Sequence, residues 1–165
     1  MAMKMIIATK LSKIFLTAGV ALFSTLVVFN NLMDYQSNYL YVQHVMSMDT
    51  TGNHAQAEWR AIHDPMVWKI AYSLIIAVEA IITLLCWTGV ACMFFNLHGE
   101  NFHESKCLAL LGLTLGIMLW FLAFMGISGE WFLAWQSRSW SGIQPGFRVA
   151  TLFFLTLLYL SQEER

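Results

Sequence analysis

The stretch IFLTAGVALFSTLVVFNNLM, residues 14–33, contains no charged side chain and decides the fold. A helix needs about 20 mostly apolar residues to cross the hydrocarbon core of a bilayer. Three further apolar runs follow, at about residues 68–95, 107–127 and 145–161. The last run is the shortest and holds Arg148 near its start, which suits a span end because an arginine side chain can reach the interface. The sequence therefore predicts an all-α fold, a four-helix transmembrane bundle.

The composition is that of a membrane protein. The 165 residues are 58% hydrophobic and only 12% charged, which leaves too little polar surface to face water on all sides. The formal net charge is −1 and the basic residues form no run, so nucleic acid is not expected as a partner and a lipid bilayer is. Because there is no linker and no internal repeat, residues 1–165 are predicted to form a single integral membrane domain.

Three lysines precede the first span and predict the orientation of the chain. Lys4, Lys10 and Lys13 could also begin a secretory signal, but the apolar run ends in FNNLMD, without the small residues of a cleavage site. We therefore expect an uncleaved anchor. Basic residues beside the first span stay on the cytoplasmic side, so both termini of a four-span protein are predicted to be cytoplasmic. Basic residues elsewhere in the chain do not support this orientation, which depends on the N-terminal lysines.

Most polar and aromatic residues lie in the two outer connections, 34–67 and 128–146. In the first, residues 40–49 have a polar arc and an apolar opposite side, which predicts a short amphipathic helix that lies on the bilayer surface or caps the bundle. The second is rich in tryptophan, which favours the membrane–water boundary. Its aromatic side chains would nearly encircle a helix, so we expect this segment to lie wedged between lipid headgroups and the bundle.

Glu79 is the one acidic residue inside the second predicted span. An ionised side chain there costs at least about 2.5 kcal/mol, so pairing, protonation or hydrogen bonding is expected. Lys69 and Arg148 lie toward the outer boundary, which leaves Thr83, one helical turn along, as the candidate neighbour. Glu79 is predicted to serve in proton transfer, in contact with a quinone head or in pairing with a partner subunit. The alternative is an interhelical hydrogen bond that fixes packing.

Two glycines in the third predicted span, Gly112 and Gly116, have the spacing that lets helices approach closely. The spacing predicts tight packing inside the bundle or against another subunit. In so apolar a sequence the same spacing also arises by chance.

The sequence carries no motif for a metal, a cofactor or catalysis. Membrane bundles hold haem between histidines on facing spans, whereas every histidine of this chain lies in a predicted connection: His44, His54, His63, His98 and His103. Glu100 and His103 have the Glu-x-x-His spacing of di-iron bundles, but such a site needs two pairs. There is no nucleophile elbow, phosphate-binding loop or dinucleotide fingerprint. We therefore predict no metal and no cofactor, and favour a protein that is not an enzyme.

Three segments carry a resemblance: NNLMDYQSNYLYVQHVMSMDT at 30–50, WRAI at 59–62 and GEWFLAWQSRSWSG at 129–142. They resemble the bacterial family of predicted small integral membrane proteins of unknown function, and the resemblance spans nearly the whole chain. It implies a bacterial inner-membrane protein with four helices, but no activity, ligand or catalytic residue. It places these residues in motifs: Asp34, Asn38, His44, Asp49, Trp59, Arg60, Glu130, Trp131, Trp135 and Gln136.

Both motif-rich connections are predicted on the same outer side, where they can form one polar, aromatic cap above the bundle. Arg60 and Arg138 could there pair with Asp34, Asp49 or Glu130. Such pairs would hold the helices in register, or they would present a binding surface. We favour the structural role, because no nucleophile and base can be paired from the sequence.

Three hypotheses of function follow. The first is a non-catalytic accessory or stabilising subunit of a larger membrane complex, supported by small size, missing motifs, the glycine spacing and an aromatic cap suited to a membrane protein partner. The second is a redox component that binds a quinone or lipid head at the outer boundary through Trp131, Trp135, Arg138, His44 and Asp49. The third is a small transporter, which depends on Glu79 alone.

Overall fold

The computed structural model describes residues 2–52 and 56–164, and within them the fold is all-α. Five α-helices follow in chain order: α1 Ala2–Met33, α2 Tyr35–Ser47, α3 Pro65–Phe95, α4 Cys107–Met118 and α5 Ile143–Ser161. Short 3₁₀ turns lie at Glu58–Arg60, Glu100–Phe102, Glu104–Lys106 and Ala134–Gln136. No strand occurs in the described ranges. The predicted fold class is confirmed.

Four helical segments are long and apolar enough to cross a membrane: Met3–Met33, Pro65–Phe95, Glu100–Trp131 and Ile143–Ser161. The first helix begins at Ala2 rather than near residue 14, because the three N-terminal lysines continue the same helix. The side chains of Lys4 and Lys10 can carry their charge away from the apolar stem, whereas Lys13 is buried and pairs with Glu164. The third span also extends beyond its predicted end at residue 127.

The extension of the third span is a π-helical segment, Leu119–Trp131, that continues α4 without a break. Its last hydrogen bond shows the wide turn, since the amide of Phe132 donates to the carbonyl of Ile127, five residues earlier, at 3.0 Å. Pi turns occur mostly as single bulges and often at functional sites. Trp131 therefore ends the third span, four residues beyond the predicted end at residue 127.

The start of α3 follows from its sequence. Asp64 caps the helix by accepting a hydrogen bond from the amide of Met66 at 2.8 Å. Pro65 occupies the first helical position, where its missing N–H has no helical partner to lose. Asp64 and Pro65 thus fix the point at which the chain turns from the outer connection into the bundle.

In the bundle, α1 packs on α3, α3 on α4, and α4 on α5. Two glycines of α4 permit this packing. A Cβ added at Gly112 would lie 2.8 Å from Cys86 Sγ on α3, and one added at Gly116 would lie 2.2 Å from the ring of Phe153 on α5. Both neighbours belong to this chain, so the two glycines face the interior of the bundle.

We call the end of the bundle that carries α2 the outer end. There α2 lies across the bundle, with Val42 against Trp68 and Tyr72 of α3 and with Val45 against Phe132. A helix therefore occurs where the polar arc indicated one, but it spans Tyr35–Ser47 rather than residues 40–49, and Ser47 of the predicted polar arc is buried.

The opposite end, the inner end, contains buried charges that the sequence did not suggest. Lys13 of α1 and Lys106, just before α4, are fully buried and both contact Glu164 Oε1, at 2.5 Å and 2.7 Å. Both ammonium groups also donate to the carbonyl oxygen of Gln162. Segment 96–106 is therefore no plain hydrophilic turn, because Phe102 and Lys106 are core residues.

Candidate functional site

Glu79 lies near the middle of α3 and faces the interior of the bundle, with 4% of its surface exposed. Its Oε2 accepts a hydrogen bond from Nδ2 of Asn31 on α1 at 2.5 Å. Thr83, the neighbour suggested by the sequence, donates instead to the backbone carbonyl of Glu79. None of the ion pairs among the described residues includes Glu79. The carboxyl group is thus buried and held by an amide rather than by a cation.

Asn31 joins three helices. Its Oδ1 accepts from Nδ2 of Asn38 on α2 at 2.8 Å, and its backbone carbonyl accepts from the hydroxyl of Tyr72 on α3 at 3.1 Å. Asn38 is exposed at the outer end, whereas Asn31 and Glu79 are buried. A continuous hydrogen-bonded path therefore leads from the outer surface to the carboxyl group inside the bundle. We call Asn38, Asn31, Tyr72 and Glu79 the carboxyl network.

The carboxyl network borders a cavity of about 450 Å³ at the outer end, the outer cavity. A volume of this size lies within the range of ligand pockets, which are mostly apolar and contain a few polar groups. Besides the network, polar side chains from α1 and from the segment before α5 reach the cavity, and so do aromatic rings. The main lining residues are Asn30, Asn31, Asn38, Tyr41, Tyr72, Glu79, Trp120, Phe124, Ser139, Trp140 and Ser141.

A second cavity of about 210 Å³, the apolar cavity, lies beside the outer cavity. The two share a wall formed by Tyr41 and Val42 of α2, Ile75 of α3 and Phe124 of the π-helical segment. The rings of Tyr41 and Phe124 stack with centroids 5.9 Å apart, and the Tyr41 hydroxyl is within 2.8 Å of Ser128 Oγ. Burial raises the pKa of Tyr41, so its hydroxyl stays protonated and available for that hydrogen bond. The shared wall therefore includes a stacked pair of rings, and the hydrogen bond between Tyr41 and Ser128 fixes the position of the Tyr41 ring.

The end of α2 is tied to the segment before α5. His44 Nδ1 lies 2.8 Å from Asp49 Oδ2, and the imidazole ring stacks on Trp140 with centroids 4.6 Å apart. Thr50 and Ser137 form a hydrogen bond of 2.9 Å between their hydroxyl groups. Because Trp140 lines the outer cavity, the His44 and Asp49 pair holds one wall of that cavity in place from outside.

Arg60 lies between two tryptophans at the outer surface. Its guanidinium carbon is 5.4 Å from the ring centre of Trp59 and 5.1 Å from that of Trp131, and Nη1 donates to the Trp131 carbonyl at 3.3 Å. These distances are those of cation–π contacts. Arg60 Nε is buried and has no hydrogen-bond partner among the described residues.

The predicted ion pairs of the cap are wrong. Over the described part of the chain, neither Arg60 nor Arg138 pairs with Asp34, Asp49 or Glu130. Arg60 binds aromatic rings instead, and Asp49 binds His44. The two connections carry opposite charges, which made such pairs possible. Whether two charged residues come within reach of each other depends on the path of the backbone, which the charges do not determine.

The remaining candidates do not reach the outer cavity. Asp34 accepts a hydrogen bond from Ser37 at 2.9 Å, and Glu130 is exposed at the end of the π-helical segment. Trp135 and Gln136 lie in a 3₁₀ turn. Of the site residues suggested by the sequence, Asn38 and Glu79 alone line the cavity among those described.

Sequence reasoning did not single out Asn31, Tyr72 or Trp120. The signal for Asn31 was present, because Asn30 and Asn31 are adjacent amides inside an otherwise apolar run. Amides within a span are bound to polar partners far more often than to lipid. Tyr72 and Trp120 gave no such signal, since an aromatic residue in a span is equally suited to lipid.

No group of three or more potential metal ligands lies together within the described residues. His54 lies outside the described ranges, so the structure gives no position for it. Cys86, Cys92 and Cys107 are free thiols.

The comparisons with known proteins agree with this description of the fold. The family model described as predicted small integral membrane protein (DUF2165) matches residues 9–163. No curated protein and no solved structure matches the chain. The match covers both outer connections, three of the four helical segments in full and the first from residue 9 onward. The chain therefore belongs to this family of small integral membrane proteins.

Proposed function

We propose that the protein is a non-catalytic membrane protein that binds the polar head of an amphipathic molecule, a quinone or a lipid, in the outer cavity. The observation that supports this proposal most directly is that the carboxyl network borders the outer cavity, which has a volume of about 450 Å³. A hydrogen bond that only fixes packing needs no adjoining space, whereas this network borders a pocket within the size range of ligand sites. The network is therefore placed to meet a ligand.

The proposed binding residues differ from those suggested by the sequence alone. The head would meet Glu79, Asn31 and Asn38 inside the bundle, rather than Trp131 and Trp135 at its surface. His44 and Asp49 would act indirectly, by holding Trp140 against the cavity.

The test is the identity of molecules that copurify with the protein. Protein in native nanodiscs is extracted with solvent and analysed by mass spectrometry, beside the variants Asn31→Leu and Glu104→Gln. Asn31→Leu removes the centre of the network, whereas Glu104 is exposed at the inner end and serves as the matched control. We expect one amphipathic molecule in stoichiometric amount with the wild type and Glu104→Gln and its loss from Asn31→Leu. Wild-type protein without any such molecule contradicts the proposal.

A second candidate is the accessory subunit of a larger membrane complex. The supporting observation is the pair Trp59, 71% exposed, and Trp131 around Arg60. Tryptophan and arginine are the residues most enriched among energetic centres of protein interfaces. The double variant Trp59→Ala with Trp131→Ala should lose a crosslinked partner that the control Trp135→Ala retains, since Trp135 is 55% exposed, between the 71% of Trp59 and the 47% of Trp131. Equal crosslinking in both variants contradicts the assignment of this surface.

A transporter is less well supported. Beneath Glu79 the bordering side chains of α1, α3 and α5 are apolar, apart from Ser24: Phe23, Val27, Ile82 and Phe153. A solute path would need polar groups to continue toward the inner end. The transporter hypothesis would be supported if the wild-type protein conducts protons in proteoliposomes and Glu79→Gln abolishes this flux.

We also propose the inner cytoplasmic membrane as the location, with the inner end in the cytoplasm. The supporting observation is that Lys10, Lys13 and Lys106 gather at the inner end together with Glu164 near the C-terminus. Single cysteines introduced at position 52 and after position 164, in a variant whose Cys86, Cys92 and Cys107 are replaced by serine, test the orientation by labelling in intact spheroplasts. Label at position 52 alone is expected, and label after position 164 alone contradicts the orientation.

A further inference from the structure

The outer cavity has an unusual wall for a pocket inside a membrane bundle. Five aromatic rings surround the space next to Glu79: Tyr41, Tyr72, Trp120, Phe124 and Trp140. They come from α2, α3, the π-helical segment and the segment before α5. The faces of aromatic rings carry partial negative charge and attract cations, an attraction that strengthens when water is excluded.

The charged groups that line the cavity also favour a cation as the ligand. Its described lining contains one carboxyl group and no lysine, arginine or histidine. An anionic head, such as a phosphate, would lie beside the Glu79 carboxylate without any positive charge to offset the repulsion. A neutral head supplies no counter-charge, so it would be held by a protonated Glu79 through hydrogen bonds alone. A positively charged head satisfies both the carboxylate and the rings.

The apolar cavity supplies a place for a hydrocarbon chain. It shares Tyr41, Val42, Ile75 and Phe124 with the outer cavity, so the two spaces are separated only by side chains. Its other walls include Leu74 and Ile127, which are exposed on the surface that faces lipid. A chain attached to a head in the outer cavity would pass between these shared side chains to reach the apolar cavity, and from there it would face the bilayer.

We propose that the outer cavity is a site for a lipophilic organic cation, whose ammonium head lies between Glu79 and the aromatic rings and whose alkyl chain occupies the apolar cavity. This inference rests on the proposed function and narrows it, because it selects a positively charged head over a quinone or a phosphate-bearing lipid. Glu79 supplies the charge, Trp120 and Tyr72 supply ring faces, and the Tyr41 and Phe124 pair separates head from chain.

Three probes with the same chain test the charge of the head: octyltrimethylammonium, octyl glucoside and octyl sulfate. Their binding to wild-type protein in nanodiscs is measured by isothermal titration, with empty nanodiscs subtracted for partitioning into lipid. We expect the ammonium probe to bind at least about tenfold more tightly than the other two. Glu79→Gln should remove this preference, Trp120→Leu should weaken it, and Glu104→Gln should leave it unchanged.

A measurement on the wild type alone guards against variants that fail to fold. Tetramethylammonium, which lacks a chain, should compete with octyltrimethylammonium, because both heads need the same place. No competition overturns the proposed head site. Binding of octyl sulfate or octyl glucoside as tight as that of the ammonium probe overturns the charge selection.

The outcomes separate this inference from the proposed function. If octyl glucoside binds as tightly as the ammonium probe and Asn31→Leu abolishes that binding, the cavity is a ligand site but not one for cations. If no probe binds and no molecule copurifies with the wild type, both proposals fail.

Discussion

The two ends of this bundle bury charge in different ways. At the inner end, Lys13 and Lys106 share the Glu164 carboxylate and the Gln162 carbonyl, so the chain supplies its own counter-charge. At the outer end, Glu79 has one amide donor, no cation among the described residues and a cavity beside it. Both arrangements remove ionisable groups from water, which is unfavourable unless they find partners. The difference teaches that the inner end is complete by itself, whereas the outer end has space for a partner from outside.

The largest expected effect is the loss of the inner counter-charge. Glu164→Gln leaves two buried ammonium groups without a carboxylate, and removing one partner of a buried pair destabilises a protein by about 3 kcal/mol. We expect a lower unfolding temperature in thermal denaturation of the detergent-solubilised protein. Glu104→Gln, which also removes one carboxylate near the inner end, should leave it unchanged. Equal unfolding temperatures for Glu164→Gln and the wild type would show that the inner end is not held by charge.

The same carboxylate should make stability depend on pH. Burial raises the pKa of Glu164, but its hydrogen bonds and charge interactions with Lys106 and Lys13 outweigh burial, so the pKa is lowered from 4.5. A lowered pKa means that the ionised group stabilises the fold at neutral pH, and this stabilisation is lost as the pH falls below 4.5 through the folded-state pKa. The difference in unfolding temperature between wild type and Glu164→Gln should therefore shrink in acid. A difference that stays constant down to acid unfolding contradicts this assignment.

In the middle of the bundle, we expect the free energy of unfolding to depend on side-chain volume rather than on charge. A methyl group at Gly116 would lie 2.2 Å from the Phe153 ring, so Gly116→Ala should destabilise the bundle by about 1–3 kcal/mol through overpacking. Gly19→Ala is the matched control, because nothing lies within 4 Å of its added Cβ. Both are measured by thermal denaturation. A loss of stability in Gly19→Ala as large as in Gly116→Ala would mean that packing against Phe153 is not the cause.

An effect of similar size is expected at the outer end. Asn31→Leu removes the donor to Glu79 and leaves the carboxyl group without its partner, which should cost about 1–3 kcal/mol. Asn30→Leu removes an exposed amide of the adjacent residue and should cost less. A bound ligand would add its own stabilisation, so the loss should be greater in protein that retains its native lipid extract. If delipidation has the same effect on wild type and Asn31→Leu, the outer end has no occupant.

The smallest effect belongs to the surface pair beside the outer cavity. His44 and Asp49 are 25% and 45% exposed, and exposed ion pairs contribute only about 0.2–1 kcal/mol. Asp49→Asn should therefore change the unfolding temperature little but loosen the ring stack on Trp140. Binding of octyltrimethylammonium should weaken more than stability does. A variant that binds as tightly as the wild type would remove His44 and Asp49 from any role at the cavity.

The sequence predicts the spans because the hydrophobic requirement of a bilayer is strong and local. Lengths and charges of apolar runs suffice to place four helices, and the polar arc of residues 40–49 suffices to place α2. The limits of the helices are less predictable, since Lys13 was assigned to a flank although its side chain is buried against Glu164. That pair joins residues far apart in sequence, and no local pattern carries such information.

The candidate site was predicted only in part. Glu79 is recognisable because a carboxylate inside a span needs a partner, but the identity of the partner depends on how α1 and α3 pack. The ion pairs expected for Arg60 and Arg138 are not formed. The charge of a residue determines which contacts are favourable, but it does not determine which partners lie within reach. A cavity results from how the helices pack, which the sequence does not show. The structure was therefore needed to identify Trp120 as a lining residue.

The position of α2 has a mechanical consequence. This helix carries both Asn38, whose amide donates to Asn31 beside the buried Glu79, and Tyr41, which lines both cavities. A displacement of α2 would therefore break the hydrogen bond to Asn31 and open the wall between the two cavities at the same time.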